Sequence, residues 1–214
     1  MESGAAMTID EERKDHWQKV WSTKQADEVS WFQPEPTLSM ELIERQALRK
    51  DAGIIDIGGG ASLLVDRLIE RGWHHVAVLD ISQAALDQAA ERLGPAGDDV
   101  TWIEADILEW RPVPGLFELW HDRAVFHFLT RPEDQKAYRR ILMTALVPGG
   151  TVILATFAPD GPEKCSGLPV ARHDIESLAR VLGADFELIE TRREDHVTPS
   201  GKTQSFTWGV FRRV

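Results

Sequence analysis

The sequence predicts an α/β fold: a mostly parallel sheet wound on both faces by helices, closed at one edge by an antiparallel hairpin. From Lys50 onward, short apolar runs alternate with amphipathic stretches: "GIIDI", "ASLLVDRLIERG", "HVAVLD", "SQAALDQAAERLG" and "VTWIEAD", then "LFELWHD", the helical "PEDQKAYRRILMTALVPGG" and "TVILATFA". Such alternation marks strands linked through crossover helices. The strands read as apolar runs, as expected of parallel strands covered on both faces. After the helix "RHDIESLARVLG", the strands "FELIETRRED" and "TQSFTWGVFRR" are joined only by a turn around "TPSGK", so they must run antiparallel.

With 214 residues and 43% hydrophobic content, the chain can bury one substantial core, and a single domain is expected. Residues 1–9 are small and charged without apolar period, which predicts a mobile tail ahead of a domain spanning 10–214. Within it, 10–50 reads as a helical lid segment. Trp17, Val20 and Trp21 recur at helical spacing, and Leu38, Leu42, Ile43 and Ala47 share the face of a second helix in "PTLSMELIERQALRK". The Pro-bounded loop between these helices carries Trp31 and Phe32, large apolar groups that need a surface to cover.

The formal charge of −11 argues against nucleic acid as the main partner. A single cysteine, Cys165, excludes an intrachain disulfide framework and suits a reducing compartment, so the cytoplasm is expected. No apolar run is long enough to span a membrane, and the acidic start does not read as a signal peptide. A monomer or homodimer acting on a small molecule fits these bounds.

The stretch "IIDIGGGASLL" places Gly58, Gly59 and Gly60 between a buried strand and a helix, where absent side chains permit a tight turn and close approach of a ligand. Asp56, Asp80, Asp106 and Asp122 fall at or near four strand ends, so together they ring one edge of the sheet, where ligands bind in such folds. A nicotinamide-dinucleotide pattern read from Gly58 requires a small residue where Leu63 stands, which disfavours that alternative.

With "IIDIGGGAS", "VAVLDIS", "EADI", "WHDRAVFHFL" and "LVPGGTVILATF" in that order, residues 51–214 resemble the class I S-adenosylmethionine-dependent methyltransferases. "WQKVWSTKQADEVSWFQPEP" and "HDRAVFHFL" look like small bacterial members near the thiopurine methyltransferase type. The resemblance implies a Rossmann-like seven-stranded sheet with its last strand antiparallel, and S-adenosylmethionine as cofactor. It places Asp56, Gly58, Gly59 and Gly60 beneath the methionine part. Asp80 would accept the two ribose hydroxyls, while Ile81, Asp106 and Ile107 would meet the adenine. Asp122 would lie under the methionine group or face the acceptor, and Trp31 would lie in a lid over the cofactor. One departure is Ser62, standing where the family often has a third loop glycine.

For the acceptor, the expected contacts are Phe32, Arg123 and Cys165, with His127 either a general base or a hydrogen-bonded support. Trp17 and Trp21 are expected more in the core than on a cofactor wall. His121 should point away from Asp122 and serve structure. The expected activity is methyl transfer to a small molecule at a thiol, selenol or other soft atom. The competing readings are a protein lysine methyltransferase and a non-catalytic cofactor-binding module.

Overall fold

A computed structural model describes residues 9–214; apart from Ile9, the expected mobile tail lies outside the described residues. The chain runs α1 (Ile9–Thr23), α2 (Thr37–Glu44), β1 (Ile54–Ile57), α3 (Leu64–Glu70), β2 (Val76–Asp80), α4 (Gln83–Leu93) and β3 (Thr101–Glu104). It continues through β4 (Phe117–Arg123), α5 (Pro132–Ala145), β5 (Leu146–Phe157), β6 (Lys164–Cys165), β7 (Leu168–Pro169), α6 (Ile175–Leu182), β8 (Phe186–Val197) and β9 (Thr203–Arg213).

Seven strands form one sheet in the order β3-β2-β1-β4-β5-β9-β8. The first five are parallel, and β9 runs antiparallel to both β5 and β8. Strand order reverses between β1 and β4, which opens a crevice at their carboxyl ends. This is the Rossmann-like sheet expected from the sequence.

Alternation along β4 shows how the sheet divides two cores. Leu119 packs in one buried cluster with Leu42, Ile43 and Trp208, whereas Trp120 packs in the other with Tyr138, Leu142 and Phe211. Helices are fixed where their caps predict: the Ser82 side chain accepts from Ala85 N–H at the start of α4, and Asp174 accepts from Ser177 N–H at the start of α6.

Three local features differ from the sequence expectation. Helix α2 ends at Glu44 rather than running on toward Lys50, and Ala47 takes a left-handed φ of 50°. Strand β5 starts at Leu146, so "LVPGG" belongs to the strand and not to the preceding helix. The two-residue hairpin β6–β7 was not anticipated. No helix among the described residues is long and apolar enough to cross a membrane.

Helix α1 is fastened to α4 by polar contacts rather than by apolar burial alone. Gln88 Nε2 donates to the carbonyls of Trp21 and Lys24, and Gln18 Oε1 accepts from Ser82 Oγ at 2.9 Å. The N-terminal helix is thereby held across the rim of the sheet beside Asp80.

Candidate active site

The glycine loop is shaped by the protein's own side chains. Gly58 and Gly60 have φ of +67° and +34°, in the left-handed region that side-chain-bearing residues avoid. A Cβ on Gly58 would sit 2.0 Å from Val125 Cγ2, and one on Gly60 would sit 2.6 Å from Asp80 Oδ2. A Cβ on Gly59 would meet Asp56 Oδ2 at 2.5 Å. The freed space at these three positions is thus filled by Val125 and two carboxylates, where the sequence suggested room for a ligand. The glycines let the acids approach the loop. Ser62 closes the same turn, its Oγ accepting from Leu64 N–H at 3.1 Å.

Two adjoining cavities of about 760 and 580 Å³ lie at this rim, sharing Trp21, Trp31, Gly58 and Arg123 as common wall. The larger lies between the carboxyl ends of β2 and β4. It brings together Asp80, Ile81, Asp106 and Ile107 on one side, with Arg123 and Cys165 also in its wall. The smaller is lined by Asp56, Gly59, Ser62, Phe32, Ser39 and His121 among others. Gly60, Asp122 and His127 line neither cavity.

Each cavity carboxylate has a defined partner. Asp80 Oδ1 accepts from Ser82 N–H at 2.9 Å. Burial pushes the Asp80 carboxyl up to about 7; the Ser82 N–H opposes this and the nearby Asp56 charge adds to it. Asp106 Oδ1 accepts from Leu108 N–H, while Oδ2 is buried without a hydrogen-bond partner, 3.5 Å from an Arg13 nitrogen. Asp56 is tied into a buried chain: its Oδ1 lies 2.7 Å from His121 Nδ1, and His121 Nε2 lies 3.0 Å from Ser39 Oγ. This chain gives His121 the structural role its position implied and joins the glycine loop to α2.

Asp122 and His127 are placed elsewhere. Asp122 faces the opposite side of β4, where it accepts from Tyr138 Oη at 2.6 Å and Val125 N–H at 2.8 Å. Burial raises its carboxyl to about 6, opposed by those bonds, and its work is to hold the turn after the strand. His127 is fully buried between Phe128 and Phe157, with ring centroids 4.5 and 4.7 Å away and both nitrogens unpartnered. Burial, then the Arg123 and His173 charges, depresses it to about 3, so at neutral pH it is a neutral ring away from the cavity.

The roof is aromatic. Trp17 packs edge-on to Trp31 and Phe128 at 5.7 and 5.2 Å, and Trp21 meets Trp31 at 6.0 Å. Trp17 and Trp21, expected mainly as core, both line the cavity, and Trp21 is at the same time buried in a cluster with Val29, Ala61 and Ala85, because α1 lies over the rim. Reading the sequence also missed Arg13, Leu79 and Phe128, which line the larger cavity. Arg13 lies four residues before Trp17 on the same helix, so the helical period that marked the tryptophans also marked its face.

Cys165 lines the cavity but is buried, and desolvation pushes its thiol up to about 12 despite the opposing Arg123 charge. The turn between β6 and β7 is touched by α1, with His16 Nε2 3.3 Å from Ser166 Oγ.

The larger cavity thus combines two carboxylates, two isoleucines, an acid oxygen without a hydrogen-bond partner and aromatic faces, a donor set that suits an adenosine bearing a charged sulfur. Comparisons with known proteins agree. No curated protein sequence matches the chain. Residues 54–150 match the family described as "Methyltransferase domain".

Among solved structures, an S-adenosylmethionine-dependent methyltransferase from Anabaena variabilis is similar with a TM-score of 0.75 at 16% identity, over 98% of this chain and 96% of that one. The 1,6-didemethyltoxoflavin-N1-methyltransferase of Burkholderia thailandensis, with S-adenosylhomocysteine bound, has a TM-score of 0.71 at 17% identity, covering 98% and 92%. The N-methyltransferase NodS of Bradyrhizobium japonicum, in complex with S-adenosylhomocysteine, has a TM-score of 0.67 at 16% identity, covering 93% and 99%. At such identities these likenesses speak for the fold. Residues 54–150 are similar to a methyltransferase domain, and the chain is an enzyme that methylates with S-adenosylmethionine as donor.

Proposed function

We propose that this enzyme methylates a small molecule at an ionised sulfur or selenium atom, as the thiopurine-type resemblance implies. The observation that carries the reading is the acceptor side of the cavity, walled by Phe128, Leu129, Trp31, Arg123 and Cys165. Among these residues the Cys165 thiol holds its proton to about 12, and His127 lies outside the cavity. A wall without a base suits an acceptor that is already a thiolate or selenolate near neutral pH, because such an atom needs no proton removed during attack.

When bound, the donor supplies an activated methyl group on a sulfonium whose positive charge is lost as transfer proceeds. The chain's residues bind, orient and exclude water. Asp80 would accept the ribose hydroxyls, Ile81 and Ile107 would flank the adenine, and Asp106 would take its amino edge. Gly58, Gly59, Gly60 and Asp56 support the methionine part. Trp31, with Trp17 and Trp21, closes the roof, and its π faces favour the cation by an amount on the order of 1 kcal/mol. Phe32 borders the smaller cavity and belongs to the substrate-facing lid. The proposed compartment is the cytoplasm, supported by the lone unpaired Cys165.

Purified protein incubated with methyl-labelled donor and separate pools of small thiols, selenols, amines, carboxylic acids and cell protein tests the reading. Label in the thiol or selenol pool is expected. Label confined to cell protein would make a lysine methyltransferase the better account, and label nowhere would leave a binding module.

A further inference from the structure

Arg123 is a buried cation in the cavity wall to which the donor reading above gives no role. Its side chain is only 9% exposed, yet it borders both cavities. The guanidinium is held on three sides: Nη1 donates to the Trp31 carbonyl at 3.0 Å, the Phe206 ring lies 4.6 Å below, and Glu194 Oε2 stands 3.8 Å from Nε. Glu194 is itself engaged, accepting from Gln33 Nε2 at 2.7 Å and from Trp208 Nε1 at 3.0 Å. Arg123 Nη2 is buried with no hydrogen-bond partner. Leaving such a donor unmatched is costly, so the arrangement implies a ligand acceptor for it.

The direction in which Arg123 leans identifies that ligand. Asp56, Asp80 and Asp106 stand at the ends of β1 and β2 and just beyond β3, on one side of the switch point. Arg123 reaches the other way, over Phe206 of β9 and toward Glu194 of β8, and shares the larger cavity with Cys165 of β6. Its unmatched Nη2 belongs to a side chain that borders the larger cavity together with Cys165, which places it within reach of the acceptor side. Ala124, held at φ +80°, turns the chain sharply just past this side chain and keeps it in the cavity wall.

We propose, resting on the donor-site reading above, that the acceptor is a small flat acid whose carboxylate is anchored by Arg123, away from the atom that is methylated. A rigid planar fork of donors matches a carboxylate better than it matches a neutral amide, and the apolar rings of Phe128 and Trp31 cover a flat body. The chain carries 35 acidic residues against 24 basic ones, so a buried guanidinium here runs against the overall charge and supplies selectivity for an anion.

The test is calorimetric titration of benzoate, against its neutral isostere benzamide, into enzyme saturated with S-adenosylhomocysteine. Wild type is expected to bind benzoate about tenfold more tightly than benzamide, a preference that charge-assisted pairing supplies. Arg123→Met should erase the preference while S-adenosylhomocysteine still binds. Glu194→Gln should strengthen benzoate binding about threefold, because it removes the competing anion beside the guanidinium; this variant decides the matter should Arg123→Met fail to fold. Equal affinity for the two probes in wild type overturns the proposal. So does an Arg123→Met variant that loses S-adenosylhomocysteine and keeps the benzoate preference, since Arg123 would then hold the donor. If wild type takes up no S-adenosylhomocysteine, the donor-site reading is what fails, and the two probes titrated without it still decide the role of Arg123.

Discussion

On the β3-β2-β1 side the cavity wall is made of carboxylates, whereas on the β4-β5-β9-β8 side it is made of a guanidinium, a protonated thiol and aromatic rings. The first side is built from main chain and short acids at fixed strand ends, and its geometry follows directly from the fold. The second depends on side chains that arrive from the lid, from the turn after β4 and from the distant β8–β9 hairpin. Under the proposed function this difference would separate donor recognition from acceptor choice: one half is set by backbone, the other by long-range packing.

The largest effect is expected at the glycine loop. Gly58→Val combines a left-handed φ with a Cβ 2.0 Å from Val125 Cγ2, so donor binding should disappear and the protein should lose on the order of 1–3 kcal/mol of stability. Calorimetry and thermal melting would read both, and a variant that binds normally would show that the loop does not shape the site.

Next comes Asp80. Asp80→Ala should weaken S-adenosylhomocysteine binding by about 1–3 kcal/mol, the cost of leaving ligand hydroxyls unmatched. The same residue predicts a pH dependence. With the carboxyl raised to about 7, the hydroxyl-accepting ionised form is in the minority below that pH. Affinity should therefore rise as pH increases through 7, by up to about tenfold per unit below it, and Asp80→Asn should flatten the profile. For stability the sign is opposite: the unfolded carboxyl ionises near its ordinary value, so the buried Asp80 lowers stability as pH climbs from about 4 through 7. An affinity that falls with rising pH would contradict this assignment.

A smaller effect is expected at His127. Its folded value of about 3 lies below its ordinary 6.5, so the unfolded chain binds the proton first and stability falls as pH drops through that window. His127→Phe should remove this acid sensitivity, since both unpartnered ring nitrogens go with it, and should leave the pH profile of turnover unchanged. A changed turnover profile would restore His127 as a base.

Much of the acidic half of the rim was legible in the sequence. Asp56, Asp80, Asp106, Ile81 and Ile107 follow from apolar runs ending in acids, because strand ends in a parallel sheet meet at one edge. Asp122 shared that pattern and was misplaced, since strand alternation turned it toward Tyr138 and away from the edge. His127 looked chemical by residue type, yet three positions in a tight turn carried it beneath Phe128. Local spacing does not reveal which way a turn rotates. The roof was equally hidden: Trp17 and Trp21 showed helical period, but whether that face meets core or cavity depends on how Gln18 and Gln88 pin α1 across α4. Arg123 was visible as a residue, while its Phe206 and Glu194 partners lie 83 and 71 positions away in sequence.

Least affected should be Cys165→Ala. A buried thiol held protonated takes no part in methyl transfer, and turnover should stay within about twofold of wild type. A much larger loss would place the sulfur in contact with the reacting atoms.

The division of the rim is tested most directly by titrating S-adenosylhomocysteine into wild type and Asp80→Ala by calorimetry. One molecule per wild-type chain and affinity about 10- to 100-fold weaker in the variant are the expected results. Absence of heat in wild type, or equal affinity in both proteins, would contradict the account.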